Sequence, residues 1–205
     1  MGNNGRSSRT EVVEISSSER VYDGWSRIDR VTARVRRRDG SDHTLRYEIR
    51  DHGSAAAVLP YDPVAGTVLM VRQLRLPVHL AGEDGWILEA CAGLVDPADP
   101  HPEATVVREA FEETGHRIHD LEAVAGVYSS PGSITEKVYL FLAQYRRGTA
   151  ASDFKGDVDE DIEPVEMSAE GAWRLAEVGK IVDLKTLALI HSLHARRPGL
   201  FLHRR

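Results

Sequence analysis

Residues 93–118, GLVDPADPHPEATVVREAFEETGHRI, decide how the rest of the chain is interpreted. They predict a helix, because Pro102 suits a first helical turn, Glu103 suits the positive helix start and Gly115 suits the position just past the end. Residues three and four apart share one face of a helix, within an arc of roughly 100°. Three carboxylates therefore lie on one face of this helix: Glu109, Glu112 and Glu113.

Like charges at this spacing cost a helix a few tenths of a kcal/mol per pair, so the cluster needs a compensating partner. A hard divalent cation is one candidate, because Mg²⁺ and Mn²⁺ prefer oxygen ligands. The alternative is a solvated acidic face on which Arg108 pairs with Glu112. On another face, Val107, Ala110 and Phe111 are predicted to be buried. Upstream, residues 86–90 predict a strand and residues 92–94 a glycine-containing loop with free backbone carbonyls.

Residues 108–115, REAFEETG, resemble the second half of the Nudix hydrolase signature, R-E-x-x-E-E-x-G. The first half departs from that signature, since the chain has one residue more than usual between Gly93 and Arg108. A loop at residues 96–100 can absorb the insertion without moving the helix. The spaced acid is then Asp99 or absent, and the resemblance implies roles for the glutamates rather than for Asp99.

Length and composition agree with a small enzyme. A chain of 205 residues with 41% hydrophobic content can bury one sizeable core. No apolar run is long enough to cross a bilayer, and the first residues lack the apolar core of a signal peptide, so we expect a cytoplasmic protein without a membrane partner. The single cysteine, Cys91, is expected to be a small buried hydrophobe rather than a nucleophile. A net charge of −6 argues against nucleic acid as a partner, and the basic run at residues 34–38 is interpreted as an exposed strand end.

The pattern along the chain predicts an α/β (α+β) layout. Strands are predicted at residues 30–36, 44–49, 55–60, 67–74, 86–90, 121–128, 137–145 and 162–167, and further helices at residues 169–177 and 184–195. The first two strands are joined by a turn at Asp39 and Gly40.

A closer resemblance, over about residues 21–194, is to the nucleoside-diphosphate-sugar branch of the Nudix family. RQLR at 72–75, SPGSITE at 130–136 and DEDI at 159–162 resemble this branch, while LEACAGL at 88–94 and Lys185-Thr186 resemble its GDP-mannose enzymes. The resemblance implies the Nudix fold, a mixed β-sheet sandwiched between helices with an N-terminal antiparallel strand region. It also implies a disordered or extended tail at 1–20, a strand region forming a dimer contact at 21–54, and a Nudix hydrolase domain at 55–198.

The implied reaction is Mg²⁺-dependent hydrolysis of the pyrophosphate bond of a nucleoside diphosphate sugar, with Mn²⁺ as a substitute metal. GDP-mannose is the favoured substrate, and the products are a nucleoside monophosphate and a sugar 1-phosphate. Such a reaction needs neutralisation of the diphosphate charge and in-line positioning of water. One alternative is an ADP-ribose pyrophosphatase giving AMP and ribose 5-phosphate. Another is a Nudix-fold sensor that binds such ligands without turnover.

The resemblance implies site residues of two kinds. The metal is expected on the Ala92 carbonyl and on Glu109, Glu112 and Glu113, with Arg108 holding the carboxylates. Glu160 is the expected general base or additional metal ligand, and Asp157 and Asp159 are its alternates.

Substrate contacts are expected from several further residues. Trp25 would stack on the base, and Arg75 would pair with phosphate oxygens. Arg46, Tyr47 and Glu48 lie on the early strand that similar enzymes offer to a neighbouring subunit, which implies a homodimer. The remaining candidates around the substrate are Gly93, Leu94, Glu136, Asp159 and Lys185. Ordinary surface pairing is the alternative for Arg75, Glu136 and Lys185.

Overall fold

The computed structural model describes residues 13–151 and 161–202. The chain divides into two compact units, a smaller N-terminal unit of residues 1–52 with 130–135, and a larger unit of residues 53–129 with 136–205.

The N-terminal unit contains a three-stranded antiparallel sheet in the order β1-β2-β3. Its strands are β1 (Val13–Asp23), β2 (Arg27–Arg36) and β3 (Asp42–Asp51). The predicted pair β2 and β3 is confirmed, with Gly40 in the connecting turn at φ 85°. The sequence analysis did not predict β1, every residue of which is exposed. Cross-strand ion pairs such as Arg27 with Asp51, at 2.8 Å, line this sheet.

The larger unit contains a seven-stranded mixed sheet. Its strands are β4 (Ala55–Asp62), β5 (Thr67–Leu74), β6 (Trp86–Glu89), β7 (Cys91–Leu94), β8 (His119–Tyr128), β9 (Lys137–Gln144) and β10 (Glu163–Ser168). The main order is β10-β5-β4-β9-β8, and β4 runs parallel to β9. The strands predicted from the sequence are all present, with ends displaced by a few residues.

Strands β4 and β5 pair only at Tyr61 with Val68 and at Asp62 with Thr67, and then separate. Strand β6 pairs with β5 and β7 pairs with β4, so the two short strands fill the gap. The loop predicted at residues 92–94 is therefore wrong: these residues belong to β7. A buried strand edge needs partners for its backbone groups, and β7 supplies them to β4.

The helices of the larger unit are α1 (Leu76–Leu80), α2 (Pro102–Thr114), α3 (Ala169–Glu177) and α4 (Leu184–Arg196), followed by a 3₁₀ turn at Pro198–Phe201. Alternate residues of β4 point to opposite faces of the sheet. Leu59 clusters with residues of α3 and α4 on one face, and Val58 clusters with residues of α2 on the other. The predicted sandwich of a mixed sheet between helices is thus confirmed. Of the helices in the described ranges, none has the length and apolar character needed to cross a membrane.

Candidate active site

Helix α2 begins and ends where its sequence predicts. Pro102 opens it with Glu103 in the first turn, and Gly115 closes it in the left-handed conformation, at φ 70°. The Gly115 N–H donates to the Phe111 carbonyl at 2.8 Å. Glycine reaches this conformation without the steric penalty of a Cβ atom, and the helix therefore stops there.

The buried face of α2 is not the predicted one. Val106, Ala110 and Glu113 are buried, whereas Val107 and Phe111 are 44% and 37% exposed. The prediction that Val107 and Phe111 are buried is therefore wrong, because the helix is rotated by about one residue from the expected orientation. The inward positions 106, 110 and 113 still follow the spacing of one helical face. This rotation places a carboxylate in the interior.

Glu113 is 4% exposed, and within the described residues its Oε2 atom has no hydrogen-bond partner. Burial and, to a smaller extent, the neighbouring charge of Glu109 raise the pKa of Glu113 to about 8. The Cys91 thiol, the Ala92 N–H and the charge of Arg75 act in the opposite direction but do not overcome burial. Burying a carboxylate without full compensation is costly, so this site favours a positive partner.

Glu109 lies directly against β7. A Cβ atom at Gly93 would stand 1.9 Å from Glu109 Oε1, far inside van der Waals contact. Only glycine therefore lets the Glu109 carboxylate reach the strand that contains Ala92. Cys91, on the same strand, is fully buried, and burial raises the pKa of its thiol well above the usual value. The expectation that Cys91 is buried is confirmed.

Arg108 forms ion pairs with three carboxylates. Its Nη1 donates to Glu109 Oε1 and to Glu112 Oε2, each at 2.8 Å. Its Nη2 donates to Asp99 Oδ2 at 3.1 Å, an atom that also accepts from the Thr105 hydroxyl at 2.9 Å. Asp99 thus has a role that sequence reasoning left open. The extra residue between Gly93 and Arg108 hid it from spacing alone, but the loop at residues 96–100 leaves the Asp99 carboxylate beside Arg108.

The carboxylate oxygens are ligands of the kind that a hard divalent cation prefers. In the described ranges no three Asp, Glu, His or Cys side chains are grouped as a metal site. Arg108 engages Glu109 and Glu112 instead. Nevertheless, these oxygen donors suit an ion that takes only oxygen ligands. Glu113 Oε2 has no partner among the residues that the structure describes, and Glu109 approaches Gly93 closely.

A second group of charges lies beside this helix. Glu89, at the end of β6, is 1% exposed and accepts from Arg75, with Nη2 to Oε2 at 2.9 Å and Nε to Oε1. The Lys185 ammonium donates to the same Glu89 Oε2 and, at 3.0 Å, to Asp183 Oδ1. Sequence reasoning named Arg75 and Lys185 but missed Glu89. The available signal was a glutamate within the otherwise apolar strand WILE.

Other predicted site residues occupy several places. Gly93 and Leu94 lie on β7, and Glu136 is half-buried just before β9. In the N-terminal unit, Trp25 is 74% exposed, with its ring edge-on to His52 at 5.3 Å and the Arg50 guanidinium 5.5 Å from its centroid. The exposed residues of β3 include three candidates, Arg46, Tyr47 and Glu48. The loop candidates Asp157, Asp159 and Glu160 lie outside the described residues.

Comparison with known proteins bears on what this arrangement does. The family profile described as NUDIX domain matches residues 51–196. A GDP-mannose pyrophosphatase from Cronobacter sakazakii is 36% identical over 185 residues, covering 90% of this chain and 96% of the relative. Proteins of the same name from Salmonella arizonae and Pectobacterium atrosepticum are 37% identical over 175 residues and 35% over 190 residues. These alignments cover 85% and 92% of this chain and 91% and 96% of the respective relatives. The matched residues include the carboxylate helix and strand β7, which lies against it, and the chain belongs to the Nudix family as a Nudix hydrolase.

Proposed function

We propose that this protein hydrolyses the pyrophosphate bond of GDP-mannose, giving GMP and mannose 1-phosphate. The observation that carries the proposal is the placing of the α2 carboxylates against β7, in a chain whose relatives bear the name GDP-mannose pyrophosphatase. The segment LEACAGL, which forms the end of β6 and all of β7, supports the same substrate by its resemblance to that branch.

Nudix hydrolases generally use divalent metal ions, and Mg²⁺ is the proposed ion here, with Mn²⁺ as a substitute. The proposed ligands are the Ala92 carbonyl and the carboxylates Glu109, Glu112, Glu113 and Glu160. The bound ion supplies charge that neutralises the diphosphate and makes water easier to deprotonate. The buried, uncompensated Glu113 supports this assignment, because a cation offsets the cost of its charge.

The chain's own side chains would perform the remaining work. Arg108, which pairs with Glu109 and Glu112, would hold their two carboxylates in place for the ion. Glu160 accepts a proton from the attacking water, with Asp159 or Asp157 as the alternate. Arg75 and Lys185 contact the phosphates or the sugar, Glu136 contacts sugar hydroxyls, and Gly93 and Leu94 line the substrate.

The protein is further proposed to be a cytoplasmic homodimer. Trp25 would stack on the purine, and Arg46, Tyr47 and Glu48 of a second copy would complete each pocket. The exposure of these four residues in the N-terminal unit supports contacts with a ligand or a second copy.

The test is a substrate panel. The protein is incubated with Mg²⁺ and either GDP-mannose, ADP-ribose or another nucleotide sugar, and an added phosphatase releases inorganic phosphate from any phosphomonoester product. We expect the highest kcat/KM with GDP-mannose and no release in the presence of EDTA. Faster turnover of ADP-ribose, giving AMP and ribose 5-phosphate, would identify the alternative enzyme. Thermal stabilisation by these ligands without any product would identify a sensor.

A further inference from the structure

We infer that Glu89 is a positioning residue that holds Arg75 and Lys185 side by side as a cationic clamp for the diphosphate of the substrate. The inference rests on the proposed function and adds to it a residue that neither spacing nor family signature indicates.

Glu89 accepts hydrogen bonds from both cationic side chains at once. Its Oε1 accepts from Arg75 Nε, and its Oε2 accepts from Arg75 Nη2 at 2.9 Å and from the Lys185 ammonium. The forked pairing fixes the plane of the guanidinium, since two parallel bonds leave it no rotation. The shared Oε2 sets the distance between the two positive groups.

The exposure of the three side chains differs in the way a clamp requires. The Glu89 side chain is 2% exposed, whereas those of Arg75 and Lys185 are 39% and 18% exposed. The carboxylate thus lies beneath, and the cations remain accessible above it. Within the described residues no acceptor contacts Arg75 Nη1, and Lys185 uses two of its three donors, so donors remain for phosphate oxygens.

A second set of contacts ties the clamp to the junction of β6 and β7. The Ala90 N–H, next to Glu89, donates to the Thr186 hydroxyl at 2.7 Å, and Thr186 in turn donates to Asp183 Oδ2. These hydrogen bonds therefore fix the position of Lys185 relative to Ala90. Ala90 lies between β6 and β7, two residues before Ala92. The charge of Arg75 also lowers the pKa of Glu113, so its guanidinium lies within electrostatic range of α2.

Stability alone does not account for this arrangement. A buried ion pair roughly breaks even against a well-packed apolar residue of similar volume, and strand β6 is otherwise apolar. Because Glu89 is sealed from solvent, it cannot itself contact a substrate. Its effect on the reaction must pass through Arg75 and Lys185.

The experiment measures kcat and KM for GDP-mannose with Mg²⁺ in wild type and in Glu89→Gln, Arg75→Ala and the double variant, together with each thermal midpoint. We expect Glu89→Gln to raise KM at least tenfold while kcat changes less than threefold. In the Arg75→Ala background the same change should raise KM by a smaller factor than in wild type, because Lys185 is then the only cation through which Glu89 can act. Glu89→Asp, which keeps the charge but shortens the reach, should give an intermediate KM.

Glu166→Gln is the control, since Glu166 is a partly buried glutamate of the same sheet that pairs with a different cation, Arg147, at 2.7 Å. Its KM should match wild type. The inference is overturned if Glu89→Gln leaves KM within twofold of wild type, or if its effect multiplies fully with that of Arg75→Ala. A lower thermal midpoint and a lower kcat in Glu89→Gln, at unchanged KM, would also overturn it. Absence of turnover by the wild type on every nucleotide sugar would instead refute the proposed function.

Discussion

At the residue scale, the proposed chemistry depends on a carboxylate placed where water cannot solvate it. Glu113 is buried with an unpartnered Oε2 within the described residues, and burial raises its pKa to about 8. In Glu113→Gln, we expect kcat to fall about 100-fold or more, because a charged ligand is lost while little volume changes. We also expect the thermal midpoint to rise with added MgCl₂ in wild type but not in the variant, as measured by calorimetry.

Glu103→Gln provides the control for this change, because Glu103 lies in the first turn of the same helix with its side chain 48% exposed. It should keep wild-type turnover and the Mg²⁺-dependent midpoint. Near-wild-type kcat in Glu113→Gln would contradict the metal assignment.

A second prediction at the residue scale concerns Gly93. In Gly93→Ala the new Cβ atom would meet Glu109 Oε1 at 1.9 Å, and the flexible carboxylate must move away. We expect a folded protein, with its thermal midpoint little changed, whose kcat/KM falls at least about tenfold because a ligand is displaced. Circular dichroism and steady-state kinetics together check this. Full activity in Gly93→Ala would show that Glu109 need not lie against β7.

At the scale of the element, the end of α2 depends on one glycine. Gly115 adopts φ 70°, where an L side chain is strained. We expect Gly115→Ala to lower the free energy of unfolding by about 1 kcal/mol, measured by urea denaturation. Gly199→Ala is the control, since a Cβ atom there would have no described neighbour within 4 Å and its φ is not positive. Equal stability of the two variants would mean that the left-handed cap contributes nothing.

At the scale of the whole molecule, the N-terminal unit leads us to a prediction about assembly. Strand β1 is exposed along its full length and carries large apolar residues, among them Val13, Ile15 and Tyr22. Exposed apolar surface of this kind is typical of an interface. We expect a dimer at micromolar concentration by light scattering. We also expect Ile15→Lys to shift it toward monomer with loss of activity, because in the proposed dimer two copies build each pocket.

Val64→Lys is the matched control, because Val64 is an exposed apolar residue of the larger unit and the change adds the same charge. It should leave the dimer intact. A wild-type monomer, or a monomeric Ile15→Lys with full activity, would contradict the shared-pocket assignment.

The amino-acid sequence by itself determined the features that depend on neighbours along the chain. The start of α2 at Pro102 and its end at Gly115 follow from local backbone preferences, and the ion pair of Arg108 with Glu112 follows from helical spacing. The signature REAFEETG likewise indicates the family from the sequence alone, and the family profile agrees.

Only the tertiary structure decided which side of α2 is buried and which partners the charges take. Val107 and Glu113 differ in burial because the sheet, not the helix, sets the rotation of α2. Residues 92–94 form a strand because β4 and β5 separate and leave β4 in need of a partner. Glu89 meets Lys185 across 96 positions of sequence, and a contact of that separation depends on how strands and helices pack, which no local pattern records.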